Sequence, residues 1–272
     1  GERVAAILAM PSVSALPVEL RARAETAAGG VAYWRLQGEA TYQHYARALE
    51  LARQGDDRAF LAEALYNSGF APQARNAEEG HSRMIAGAAA IDEALTIYRD
   101  LGDDSGIAKA SWSLALQAAA RGEVERSREL LQESIAAADA AGDVFQKGWA
   151  LHTYGQSDVL VGDLDAAARH IRESLDTWVA AGDVSGVTML LVDAVVVARA
   201  RGREACSWRL VGAENRLRSA TGTDIGRAAT EYPGIEPRRT PESAEERRWF
   251  EEGRALSTDE AIELARNEAL GD

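Results

Sequence analysis

The sequence holds one cysteine, Cys206, in 272 residues. No internal disulfide can form, and such usage fits a reducing compartment, so the expected location is cytoplasmic. Positive charge is scarce: 30 Lys and Arg stand against 43 Asp and Glu, for a net charge of −13. A surface of that sign repels phosphate, which argues against direct nucleic-acid contact. The pairs Arg238-Arg239 and Arg247-Arg248 are isolated and read as solvated faces rather than a DNA patch. No run approaches the roughly 18 apolar residues that a membrane helix needs, so no membrane partner is expected. No signal-peptide pattern is visible. Proline is rare, at 6 residues, while 46% of the chain is apolar, a balance that gives order rather than disorder.

The motifs of chemistry are missing as well. There is no Gly-x-x-x-x-Gly-Lys-Ser/Thr phosphate loop, no His-Glu-x-x-His and no cysteine pair, so neither a cofactor nor a metal site is expected. The histidines His44, His81, His152 and His170 lie far apart in sequence. His152 and His170 can meet across one hairpin, where a packed or surface pair is a simpler reading than a ligand pair. Most carboxylates fall at helix starts or exposed faces, where capping and solubility account for them. Cys206, beside Ser207 and Trp208, reads as buried filler. The chain is therefore expected to bind rather than catalyse.

What is present is a lattice. Gly122, Gly162 and Gly202 recur at an interval of 40, and Gly102, Gly142 and Gly182 keep the same interval halfway between them. Asp103, Asp143 and Asp183 follow the second set. Glycine costs about 1 kcal/mol inside a helix but is favoured just past its end. An acidic residue suits the next helix start. The chain is thus cut into helices of about 17 residues joined as repeated hairpins. Within them, Val124, Ser127, Leu131, Ser134 and Ile135 form one apolar stripe, and Leu164, Ala167, Ile171, Ser174 and Leu175 form its copy. Small residues such as Ala115, Gly155, Ala167 and Ser127 stand where helices approach closely. Val195-Val196-Val197 is β-rich but sits in a segment of helical length and reads as buried helix.

These features place an N-terminal partial helix at 1–16, a repeat array of about five helical pairs at 17–221, a loop at 222–240 and capping helices at 241–272. An inter-helix loop is expected at Arg75–His81, where the second unit is longer. In the last segment, Pro241-Glu-Ser-Ala-Glu-Glu predicts a helix with proline in its first turn. Ser257-Thr258-Asp259-Glu260 predicts a capping box opening a helix on Ala261, Ile262, Leu264 and Ala265. This segment is expected to close the open end of the array. The chain starts at Gly1 rather than methionine, which reads as a domain cut from a longer protein.

The pattern resembles the tetratricopeptide repeat, with helices a few residues longer than the family's. Leu151, Tyr154-Gly155, Gly162 and Leu164, followed by Ala167, Ile171 and Ser174, fit that pattern. Leu114-Ala115, Gly122 and Val124 fit in the preceding copy, although Ser111 holds its first large position. The copy from 188 is weaker: Leu191 fits, while Ala194-Val195 and Glu204 do not. The resemblance implies an all-α solenoid with right-handed superhelical curvature, in which the first helix of each pair lines a concave groove. Carried over by position, the groove residues are Glu63, Tyr66, Phe70 and Gln73; Lys109, Trp112, Leu116 and Ala119; Trp149, His152, Gln156 and Val159; and Met189, Val192, Val196 and Arg199. Trp112, Trp149 and His152 are expected to form one pocket. Indoles at these positions serve either as recognition anchors or as inter-repeat core, and the sequence leaves both open.

Trp208-Arg-Leu-Val-Gly-Ala-Glu-Asn-Arg-Leu-Arg, and then Phe250-Glu-Glu-Gly-Arg-Ala-Leu-Ser-Thr-Asp-Glu-Ala-Ile-Glu-Leu-Ala265, narrow the resemblance. They are similar to the C-terminal tetratricopeptide regions of bacterial signalling ATPases of the MalT-like and AfsR-like kind, transcriptional regulators with LuxR-type or adenylate-cyclase-like partner domains. Arg-Asp-Leu-Gly-Asp-Asp104 and Gln-Glu-Ser-Ile135 share that likeness, while 222–240 departs from it. The resemblance implies a regulatory module that binds a protein, peptide or small effector in its groove and biases a neighbouring ATPase or output domain of the same chain. A passive scaffold or oligomerisation module is the competing reading.

Overall fold

The computed structural model describes residues 15–35, 37–69, 77–222 and 236–271, with the backbone alone for 77–86. The expected N-terminal helix and most of the 222–240 loop lie outside the described residues. The chain divides into two compact units, Gly1–Arg121 and Gly122–Asp272. The first holds α1 (Val18–Trp34), α2 (Gly38–Ala52), α3 (Arg58–Ser68), α4 (Ala77–Leu101) and α5 (Asp104–Ala120). The second holds α6 (Val124–Ala141), α7 (Val144–Val161), α8 (Leu164–Ala181), α9 (Val184–Ala200), α10 (Glu204–Thr221), α11 (Ala244–Ala255) and α12 (Thr258–Leu264), which runs into a π-helical turn at Ala265–Ala269. No strand occurs among the described residues, and successive helices pair as hairpins: a helical-repeat fold.

The glycine lattice is visible in the backbone. Gly102, Gly122, Gly142, Gly162, Gly182 and Gly202 all hold φ between 66° and 80°, and Gly222 adds one more step of twenty residues at φ 68°. Each ends a helix in the left-handed region that a Cβ disfavours. After Gly102, Gly142, Gly162 and Gly182 the next helix starts on a carboxylate cap, whereas after Gly202 it starts at Arg203 without a side-chain cap bond. The side chains of Asp103, Asp143, Asp163 and Asp183 accept hydrogen bonds from the backbone N–H groups of Gly106, Gln146, Ala166 and Gly186 at 2.9–3.0 Å. Glu123 precedes α6 without a side-chain cap bond. The short Asp side chain suits this geometry, and Glu is not among the preferred caps.

Two seats for large side chains repeat. In the first, a Cβ on Gly155 of α7 would lie 2.5 Å from Cγ1 of Ile171 on α8. Gly69 meets Ile91 at 2.3 Å and Gly29 meets Tyr45 at 2.5 Å in the corresponding hairpins of the first unit. Glycine on the first helix, or at its C-cap in the case of Gly69, therefore lets the second helix press a branched or aromatic side chain against bare backbone. In the second seat, the Trp178 indole sits in a slot between Gly148 and Gly186, where added Cβ atoms would come within 2.5 and 2.4 Å of it. Tyr98 fills the same seat against Gly106 in the first unit, at 2.2 Å.

Two local expectations are corrected. The stretch Arg75–His81 is not all loop, because α4 begins at Ala77 and runs 25 residues. Pro241 is not in a first turn. Helix α11 starts at Ala244, with Ser243 and Glu246 forming a capping box whose paired bonds outweigh the proline preference. The capping box at Ser257 and Glu260 forms as expected.

The C-terminal segment closes the second unit. Helices α10 and α11 cross at Gly212 and Gly253, and a Cβ on Gly253 would stand 1.9 Å from the carbonyl oxygen of Arg209. Ala261, Ile262 and Ala265 are buried in the same core as Trp208 and Leu190. Arg172, Arg201 and Arg203 donate to the carbonyls of Arg266, Glu268, Leu270 and Gly271, groups that a helix end leaves without intrahelical partners.

Candidate recognition surface

In the first unit, Tyr66 and Lys109 come together. The Lys109 ammonium lies 4.9 Å from the Tyr66 ring centre and 5.2 Å from that of Tyr98. Ser113 donates to the Tyr66 hydroxyl at 3.3 Å. Tyr66 is 8% exposed, and burial pushes its phenol up to about 12. It is a core residue, not an open groove contact. Glu63 and Trp112 are half-buried, and Leu116 and Ala119 are exposed. Phe70 and Gln73 lie outside the described residues.

In the second unit, Trp149 and His152 share one face of α7, with ring centres 5.6 Å apart and edge-on. His152 is not a groove residue. It is 1% exposed, and its Nδ1 lies 2.6 Å from a carboxylate oxygen of Asp193, itself fully buried on α9. This pair is the counterpart of Tyr66 and Ser113. Tyr66 and His152 hold the same repeat position, and Ser113 and Asp193 stand one place further on in the following first helix. A polar bond between successive first helices thus recurs in both units, and it explains a buried imidazole better than ligand binding does.

Met189, Val192 and Val196, expected in the groove, are 1%, 1% and 0% exposed. Every residue of α9 from Gly186 to Ala198 is buried. Met189 and Val196 belong to the core shared with Trp208, Ile262 and Leu270, against which Trp249, Phe250 and Leu264 pack. Val159, at 9% exposure, is core as well, whereas Gln156 and Arg199 are half-buried. Trp112 belongs to the first unit and Trp149 to the second.

What stays open in the second unit is an aromatic group that the expected groove positions include only in part. Phe145 is 59% exposed at the start of α7, flanked in sequence by Val144 at 46%. Its ring meets Trp178 edge-on at 5.4 Å and Trp149 at 6.3 Å. Trp149 and Trp178 are themselves 6.4 Å apart at 89°. Trp178 is locked in its glycine slot, so Phe145 projects from a rigid base. Lys147, on the same helix, is held by Asp139 at 2.8 Å and Glu173 at 3.3 Å, bonds that raise its pKa. The sequence signal for Phe145 is its place right after a helix cap, where an apolar side chain has little to bury against.

A polar network lies near the other end of α7. Asp158, fully buried on α7, accepts from Arg128 of α6 at 2.6 Å and bonds His170 of α8 at 2.7 Å. The His170 ring stacks on Tyr154 at 4.1 Å, and Gln132 donates to the Tyr154 hydroxyl. His170 therefore serves the packing of three helices. Burial pushes the Cys206 thiol up to about 12, which leaves it protonated and inert.

No protein-family model matches the chain, and no curated protein does. Solved structures do. BtubC (BKLC) from P. vanneervenii aligns with a TM-score of 0.61 at 16% identity, covering 83% of this chain and 87% of that one. Aspartyl phosphate phosphatase F from Bacillus subtilis aligns at 0.58 with 11% identity, covering 94% of this chain and 62% of that one. At these identities the likeness is one of fold.

Proposed function

We propose that this chain is a protein-recognition module whose second unit binds a partner segment through Phe145 and the Trp149 edge beside it. The observation that carries this reading is an aromatic ring 59% exposed yet seated on two indoles, one of them fixed between Gly148 and Gly186. An anchor held in place before binding loses little rotamer entropy when it binds, and aromatic residues dominate the energetics of interfaces. The partner presents an apolar side chain to this platform. Helical-repeat folds suit such work because each repeat adds surface without adding a new core.

The module is further proposed to regulate a nucleotide-binding ATPase or output domain carried in the same protein. The similarity of the Trp208 and Phe250 segments to MalT-like and AfsR-like regulators supports this. Reading the complete gene tests it: a coding frame without an ATPase module refutes this part and leaves the recognition reading standing.

The recognition surface is tested by placing a photo-crosslinking amino acid at position 145 and, separately, at position 189. The expected result is a specific adduct from 145 and none from 189. With the captured partner purified, Phe145→Ala is expected to cost about 2 kcal/mol, or roughly 30-fold in affinity, at an unchanged melting temperature. Equal affinity for the variant and the parent would refute the surface.

A further inference from the structure

Beyond the aromatic platform, the end of α9 gathers hydrogen-bond donors around one ring. Arg199 stands in the last turn of α9, and its Nη1 donates to the backbone carbonyl of Glu236. Its Nε and Nη2 are buried and have no hydrogen-bond partner among the described residues. Its guanidinium carbon lies 5.4 Å from the centre of the Trp208 ring, and that of Arg239 lies 5.7 Å from the same ring. Trp208 is 1% exposed, and its Nε1–H likewise has no partner among the described residues. Buried N–H groups on Arg199 and Trp208 thus belong to one ring and a cation beside it, and no acceptor for them occurs among the described residues.

The surrounding charges do not resolve this. Burial, and then the like charge of Arg239, hold Arg199 below the ordinary guanidinium range. The carboxylates of Glu204, Glu236 and Glu246 act on it through space without bonding it. That of Glu246 accepts from the backbone N–H groups of Glu242 and Ser243. Arg218 and Arg238 are paired with the buried Glu214. Buried donors without acceptors are rare in folded proteins, because each forfeits its hydration, and a bound water or ion restores the missing bond.

We propose that Arg199, Arg239 and Trp208 form a binding site for an oxyanion, a phosphate or carboxylate group. The two guanidinium forks beside one ring match the oxygens of such a group, and the buried indole keeps water from one side. An anion between the arginines also removes their mutual repulsion. Arg239 is exposed and forms the open side of the site.

The test titrates inorganic phosphate into the 272-residue protein, exchanging it against chloride at constant ionic strength. Melting temperature and calorimetric heat are the readouts, and a parallel titration uses succinate. The expected result is a saturable rise in melting temperature with a matching binding heat. Arg239→Gln, at an exposed position, is expected to weaken the apparent affinity about tenfold or more. In phosphate-free chloride the same variant should melt at or above the parent, because a like charge is gone. A response to succinate equal to that for phosphate assigns a carboxylate, free or on a partner chain, and a response to phosphate alone assigns a phosphate group; both uphold the site. No saturable response, or one unchanged in Arg239→Gln, would overturn it and leave water as the acceptor. A rise that grows without saturating is the general salt effect on stability and would overturn it equally.

Discussion

Helices α7 and α9 hold the same place in successive repeats of the second unit, and they meet opposite fates. Helix α7 keeps Phe145 and Leu160 more than half exposed and leaves Trp149 half open. Helix α9 is buried from Gly186 to Ala198, so its Met189, Val192 and Val196 are core. The repeat sets which residues face which way, but what packs on top decides whether a face is surface or interior. On α9, part of that cover is the C-terminal segment, docked through Gly212 and Gly253 and held by arginines on its last carbonyls.

The cover is the first thing to break. Gly253→Ala drives a Cβ into the Arg209 carbonyl, where neither backbone can yield without separating the helices. It is expected to cost about 3 kcal/mol or more, at the upper end of overpacking. Hydrogen exchange should quicken across 244–271 and α9 while α7 keeps its protection. A variant that exchanges like the parent would dissociate the burial of α9 from the cap. Next comes the bond between the two helices. His152→Ala leaves the Asp193 carboxylate buried without its imidazole and is expected to cost about 3–5 kcal/mol by chemical denaturation. A loss below about 1 kcal/mol, the worth of an exposed pair, would move the pair to the surface. Smaller again is Gly155→Leu, which meets Ile171 and is expected to cost about 1–3 kcal/mol. A parent-like melt would show that the hairpin register is wrong.

The register is legible in the sequence because positive φ leaves a mark there. Glycine at 102, 122, 142, 162, 182 and 202 is demanded by the backbone, and the caps Asp103, Asp143 and Asp183 follow from the helix start. Gly155 is legible as a close contact for the same reason, since a missing side chain at a packed position has a steric cause. The division between groove and core is not legible. Met189 and Val192 on α9 read the same whether they line a groove or lie under a cap, because apolar residue type reports the preference for burial and not its source. His152 misleads because its partner, Asp193, lies 41 residues away, and a polar residue on a helix face looks like surface until that partner is known. Phe145 escapes because the tetratricopeptide groove positions start one turn further along α7.

The difference between α7 and α9 is measured most directly by hydroxyl-radical footprinting of the folded protein, read by mass spectrometry. Methionine is readily oxidised when exposed, so the state of Met189 is informative in either direction. The prediction is that Phe145 is modified freely while Met189 stays protected until the protein unfolds, and that Phe145, with the Trp149 edge, gains protection when the partner binds. Met189 oxidised in the folded state at the rate of the unfolded chain, with Phe145 protected, would contradict the account.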